Sequence, residues 1–266
     1  MAMNIFIYEW KSYRKSTLIW SLSLAGLTIL LFSMFPAIAK DAEEFKRVLQ
    51  GFPEPVRKAI GLEIDSIATI LGFYSYVFLY VSLCGSIQAM NLGSSLLTKE
   101  IREKTADFLL TKPVTRKQVL TSKLLAAVVS LILTNIIFVT AANMMASIVK
   151  TESYSISAFI LISVSLFLLQ LIFLAIGVLV SVIVPRIKSV LSVSLGTVFG
   201  FFMVGIFGSA AGDEAMRYIT PFKYFDPAYI TNNSAYEPAF FTLGAGIILA
   251  SISVVYYVYS KRDISI

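Results

Sequence analysis

Six stretches of this chain, 17–39, 66–97, 124–149, 156–184, 190–211 and 239–259, contain no Asp, Glu, Lys or Arg. Each meets or exceeds the ~20 apolar residues a helix needs to cross a hydrocarbon core of ~30 Å. All 22 basic and 16 acidic residues lie between or beyond these runs. A charge at the bilayer centre costs at least ~2.5–3.5 kcal/mol on insertion scales, so this partition is the one lipid-facing helices require. The composition agrees: 57% of residues are hydrophobic and 14% charged, against roughly 25% charged in soluble domains. The expected fold is an all-α integral membrane protein, one six-helix domain over residues 1–266.

Orientation follows from the basic residues. Fourteen of the 22 fall on one side, in the N-terminal segment, the 98–123 loop, the loop after the fourth run and the C-terminus. Eight fall on the other side, from Lys40 to Lys58, at Lys150, and at Arg217 and Lys223. The positive-inside rule makes the first side cytoplasmic, with both termini in it, and places the protein in the cell membrane as a multi-pass chain. The pI of 9.3 therefore reflects topology. Nucleic-acid binding would need basic residues clustered on a soluble face, and none is present. The single cysteine, Cys84, lies inside the second run, which excludes a disulfide framework. Histidine is absent, which removes the commonest general base and metal nitrogen ligand. No metal site and no cofactor of the chain's own are expected. Ala37-Ile38-Ala39 resembles a signal-cleavage site, but the run before it exceeds the 7–15 residues of a signal h-region. A retained first helix is expected.

Before the first run, Met3, Phe6, Ile7, Trp10 and Tyr13 recur at helical spacing, which predicts an amphipathic helix lying in the membrane interface. In the first outer loop, Phe45, Val48 and Leu49 predict a short helix that Gly51, Pro53 and Pro55 end. The last outer loop, with its prolines and aromatics, is expected to dip back to the interface. The 66–97 run is longer than one span needs, so its helix should tilt, project, or bend near Gly85 or Gly93. Uncharged polar residues within the spans are few: Gln88, Asn91, Asn135, Asn143 and Gln170. They are candidates for interhelical hydrogen bonds, worth ~0.6 kcal/mol each, or for the lining of a translocation path. Gly196 and Gly200 form a GxxxG in the fifth run, suited to close helix packing.

The informative cytoplasmic segment is 98–123, TKEIREKTADFLLTKPVTRKQVLTSK. Ile101, Thr105, Phe108 and Leu109 share one helical face among charged residues. Pro113 ends that helix, and a second begins near Thr115 and runs through Lys123 into the third span. A solvated loop explains the charges; a docking surface explains the charges and the apolar face together.

These residues carry a resemblance. Glu100, Thr105, Leu109, Leu110, Pro113, Val114, Thr115, Arg116 and Lys123 follow the pattern E-x-x-x-x-T-x-x-x-L-L-x-x-P-V-[ST]-R, then Lys and an apolar run. It resembles the permease subunits of type-2 ABC exporters, with Lys104 where members usually carry Gly. The stretch from Pro221 to Pro227 and the closing residues Tyr259 to Ile264 are similar to the smaller bacitracin-exporter and sodium-exporter types. The resemblance implies a six-helix permease that forms a homodimer or heterodimer and binds a separate ABC ATPase subunit, with lipid around it. ATP would be bound by that partner, since no G-x-x-x-x-G-K-[ST] loop occurs in the chain. Residues 98–123 would be the coupling helix-turn-helix, with Glu100, Arg102, Glu103, Asp107, Phe108, Pro113, Arg116 and Lys117 as its contacts.

Three other readings stand beside this one. A secondary transporter commonly keeps an ionisable residue within the membrane, and the six runs hold none. A membrane enzyme needs paired acids, a Ser/His arrangement or a metal site in its spans. A non-transporting immunity or scaffold protein fits the same topology. The uncharged interior favours an amphipathic or peptide-like cargo over a multiply charged solute.

Overall fold

The computed structural model describes residues 2–59, 66–103, 115–150, 152–184 and 187–261, without the side chains of 2, 59 and 99–103. Every regular element among them is helical. The long helices are α1 (Ala2–Phe32), α5 (Ile70–Glu103), α6 (Arg116–Val149), α7 (Ile156–Ile183), α8 (Val190–Ala211) and α11 (Pro238–Lys261). Short helices α2 (Phe35–Lys40), α3 (Ala42–Gln50) and α4 (Glu54–Ala59) follow α1. A second short set, α9 (Met216–Ile219), a 3-10 turn (Pro221–Lys223) and α10 (Pro227–Asn233), follows α8. Six of the helices among the described residues are long and apolar enough to cross a membrane.

Alternating chain direction puts both chain ends at one end of the bundle, here the terminal end. The two sets of short helices lie at the other, the far end. Helix boundaries are set by local chemistry. Thr115 and Gln118 form a reciprocal capping box at the start of α6. Ser155 and Ser189 cap α7 and α8 through side-chain oxygens that accept from backbone N–H groups. Gly212, at φ +69°, ends α8 in the left-handed conformation that only glycine adopts at no steric cost.

The first helix departs from the sequence expectation. No break separates an interfacial segment from the span: α1 is one helix of 31 residues. Its packed face is Glu9, Tyr13, Thr17 and Ser21, all buried, while Met3 and Ile7 are exposed. That face shares Tyr13 with the aromatic one, whose Phe6 and Trp10 are half-buried against the core.

Helix α5 also runs unbroken for 34 residues through Gly85 and Gly93, ~51 Å at 1.5 Å per residue. Helix α6 matches it in length. The most extensive packing is α5 on α7, followed by α1 on α6. The first depends on a backbone crossing at Gly93 and Gly177. A Cβ at Gly93 would lie 2.9 Å from Val178 N, and one at Gly177 would lie 2.7 Å from Met90 O. Gly196 and Gly200, the pair with the recognisable motif, face open space among the described residues.

The 220–233 loop packs inward. Phe222 meets Phe173 and Phe202 at ring distances of 5.2 and 5.3 Å. Tyr224 is buried against Phe240, and its hydroxyl donates to Tyr218 O.

Candidate functional site

At the terminal end, α5 leaves the bundle and α6 enters it, so the two helices are the roots of the 98–123 segment. Lys123 stands at the α6 root and is 1% exposed; Glu9, on α1, is 6% exposed. Lys123 Nζ donates to Glu9 Oε1 at 3.0 Å and to the Leu96 carbonyl at 3.2 Å. One ammonium thus joins three helices: α1 through a carboxylate, α5 through its backbone, and α6 as its own anchor. Glu9 Oε2 is buried without a hydrogen-bond partner among the described residues. A buried pair of this kind gains little over an apolar pair but is costly to break one-sidedly. The Thr121 and Tyr256 hydroxyls, 2.6 Å apart, add α11 to the same joint. Sequence reasoning placed Lys123 in the coupling pattern and left Glu9 unassigned; the only signal for Glu9 was its position one turn before Tyr13 on the inward face.

The proposed coupling contacts are only partly within the described residues. Arg116 is half-buried and Lys117 exposed on the first turn of α6. Glu100, Arg102 and Glu103 belong to the last turns of α5, and their side chains lie outside the described residues. Asp107, Phe108 and Pro113 lie wholly outside them.

Midway along the bundle, the intramembrane polar residues divide. Gln88, Asn135 and Gln170 are buried and joined to one another. Asn135 Nδ2 donates to Gln170 Oε1 at 2.6 Å, and Gln170 Nε2 donates to Gln88 Oε1 and to Gly85 O, both at 3.2 Å. Gln88 Nε2 and Ser21 Oγ donate to Thr134 Oγ1 at 2.9 and 3.1 Å. Four helices, α1, α5, α6 and α7, share this layer. On these helices it falls where the apolar core divides into a terminal half and a far half. Asn91 is half-buried and Asn143 exposed, and neither joins the layer.

At the far end, a cavity of about 400 Å³ opens between α5, α8 and the 220–232 loop. Ser82, Ser165 and Leu169 are part of its lining, and Ser82 and Leu169 lie within one helical turn of Gly85 and Gln170 in the polar layer. Phe78, Phe202 and Ile206 supply apolar wall, while Ser209, Thr231 and Asn232 supply polar groups. Lys223 and Asp226 stand at its mouth. Burial pushes the Lys223 ammonium below its ordinary pKa, opposed by the Asp226 carboxylate and reinforced by nearby Arg217.

Comparison with known proteins agrees with this arrangement. The family described as ABC-2 family transporter protein matches residues 3–264. No curated protein matches the chain. Six membrane-crossing helices with a family match over nearly the whole length place this chain in the ABC-2 transporter family, as a membrane-spanning permease component and not itself the ATPase.

Proposed function

We propose that the chain is the permease subunit of an ATP-driven exporter. It moves an amphipathic or peptide-like substrate outward, as its similarity to bacitracin-exporter-type permeases implies. The terminal end faces the cytoplasm, where a separate ATPase subunit docks on 98–123, and a second permease subunit completes the transporter. The observation that carries this reading is the Lys123 joint. It fixes the roots of the coupling segment to α1, so that a displacement of the segment by a closing ATPase reaches several spans together. Within the membrane, the far-end cavity forms the outward part of the path. The layer of Gln88, Asn135 and Gln170 closes it below, with Asn91 and Asn143 outside the closure.

Charge reversal at Glu100 or Glu103 tests the coupling role, as does Phe108→Ala, which removes an anchor worth up to ~2 kcal/mol if it is a hot spot. Each should weaken co-purification of the ATPase or separate hydrolysis from export, with membrane insertion unchanged. Wild-type export by all three variants, with the ATPase still bound, would remove 98–123 from the mechanism.

A further inference from the structure

We propose that the far-end cavity is a binding site for an amphiphile with an anionic headgroup, held by Lys223 at the mouth with its apolar body along Phe78, Phe202 and Ile206. Lys58 and Lys223 line the cavity and Arg217 stands near Lys223, and the three cations differ in one respect. Lys58 is paired with Glu54 at 2.7 Å. Arg217 is paired with Glu237 at 2.8 Å and lies over the Phe240 ring at 4.2 Å. Among the described residues, the Lys223 ammonium has no carboxylate within ion-pair distance. Asp226 acts on it only through its field, because that carboxylate caps α10 by accepting the Ala228 N–H.

A half-buried ammonium without a counter-charge loses hydration without recovering it, and the lowered pKa is the expression of that loss. An anion entering the cavity restores the missing partner. The lining selects further. Below the amine the wall is apolar and aromatic, interrupted by the hydroxyls of Ser75, Ser82, Ser165 and Ser209, which suits an alkyl or acyl body better than a free inorganic ion. The shared chemistry is a phosphate or carboxylate on an apolar tail, whether from the bilayer or from a cargo molecule. The site deepens the transport reading by naming the class of the cargo's headgroup. It rests on that reading only for the ligand's role, not for its binding.

The test uses the full chain in phosphatidylcholine nanodiscs and follows acylation of Lys223 by an amine-reactive probe, with exposed Lys117 as reference. Dodecyl phosphate should slow acylation of Lys223 several-fold relative to Lys117, and dodecanol should not. Native mass spectrometry should find the bound phosphate retained in Lys223→Arg and lost in Lys223→Met. Nanodiscs containing phosphatidylglycerol separate the sources: protection by that lipid identifies a headgroup site, and protection by dodecyl phosphate alone identifies a site for free amphiphile. No protection by either anion, or equal protection by dodecanol, would overturn the proposal. Export is not read here, so an inactive transporter with a protected Lys223 would remove the transport reading and leave the site standing.

Discussion

Lys123 and Glu9 show most clearly how one residue can hold a role far larger than its size. With both side chains almost wholly buried, replacing Lys123 leaves the Glu9 carboxylate as an uncompensated charge, a loss of ~3–5 kcal/mol for buried pairs generally. Glu9→Gln and Lys123→Met should both lower the unfolding temperature of the purified chain. Lys123→Met should do so more, because the Leu96 carbonyl also loses its donor. The apolar double variant Glu9→Leu/Lys123→Met should recover most of the loss. Thermal unfolding followed by size-exclusion chromatography separates these cases, and a double variant no better than Lys123→Met would show that the pair is not coupled. The pair was only half legible in the sequence. Lys123 stood out by following the Pro113–Arg116 pattern, but Glu9 lies 114 residues away, and no spacing rule joins residues at that distance.

At the scale of elements, the long apolar runs mapped directly onto helices, because hydrocarbon leaves the backbone few other ways to satisfy its hydrogen bonds. What the runs did not disclose was which faces meet. The GxxxG of α8 carried the recognisable motif, yet the close crossing is made by single glycines on two different helices, Gly93 and Gly177, whose complementarity appears only once they are apposed. Gly93→Ala and Gly177→Ala should therefore each destabilise the chain by about 1–3 kcal/mol, the usual cost of overpacking. Gly196→Ala should leave the folded subunit unchanged, since its added methyl meets nothing within 4 Å. Guanidinium or heat titration of the three variants in detergent distinguishes them, and equal losses at all three would argue against the α5–α7 crossing. The continuity of the N-terminal segment with the first span was hidden for a related reason. Aromatic spacing in 3–13 reports one apolar face, but the inward face is chosen by α5 and α6, which the local sequence does not contain.

For the whole molecule, charge asymmetry predicts an orientation that labelling can read. In a Cys84→Ala background, cysteines at Gln50 and Ser260, both exposed and at opposite ends of the bundle, should react with an impermeant thiol reagent from opposite sides. Reaction at Gln50 in intact cells and at Ser260 only after permeabilisation is the expected result; the same sidedness at both would break the six-span topology. The Lys123 joint, the polar layer and the far-end cavity then occupy successive levels along one axis, which suits a permease moved from one end and open at the other. The measurement closest to this account is ATP hydrolysis by material isolated from native membranes through a tag on this chain, beside the same chain purified alone. The account predicts hydrolysis in the complex, carried by a separate ATPase subunit, and neither nucleotide binding nor hydrolysis by the isolated permease. Hydrolysis by the chain alone, or native material with no ATPase and no hydrolysis, would contradict it.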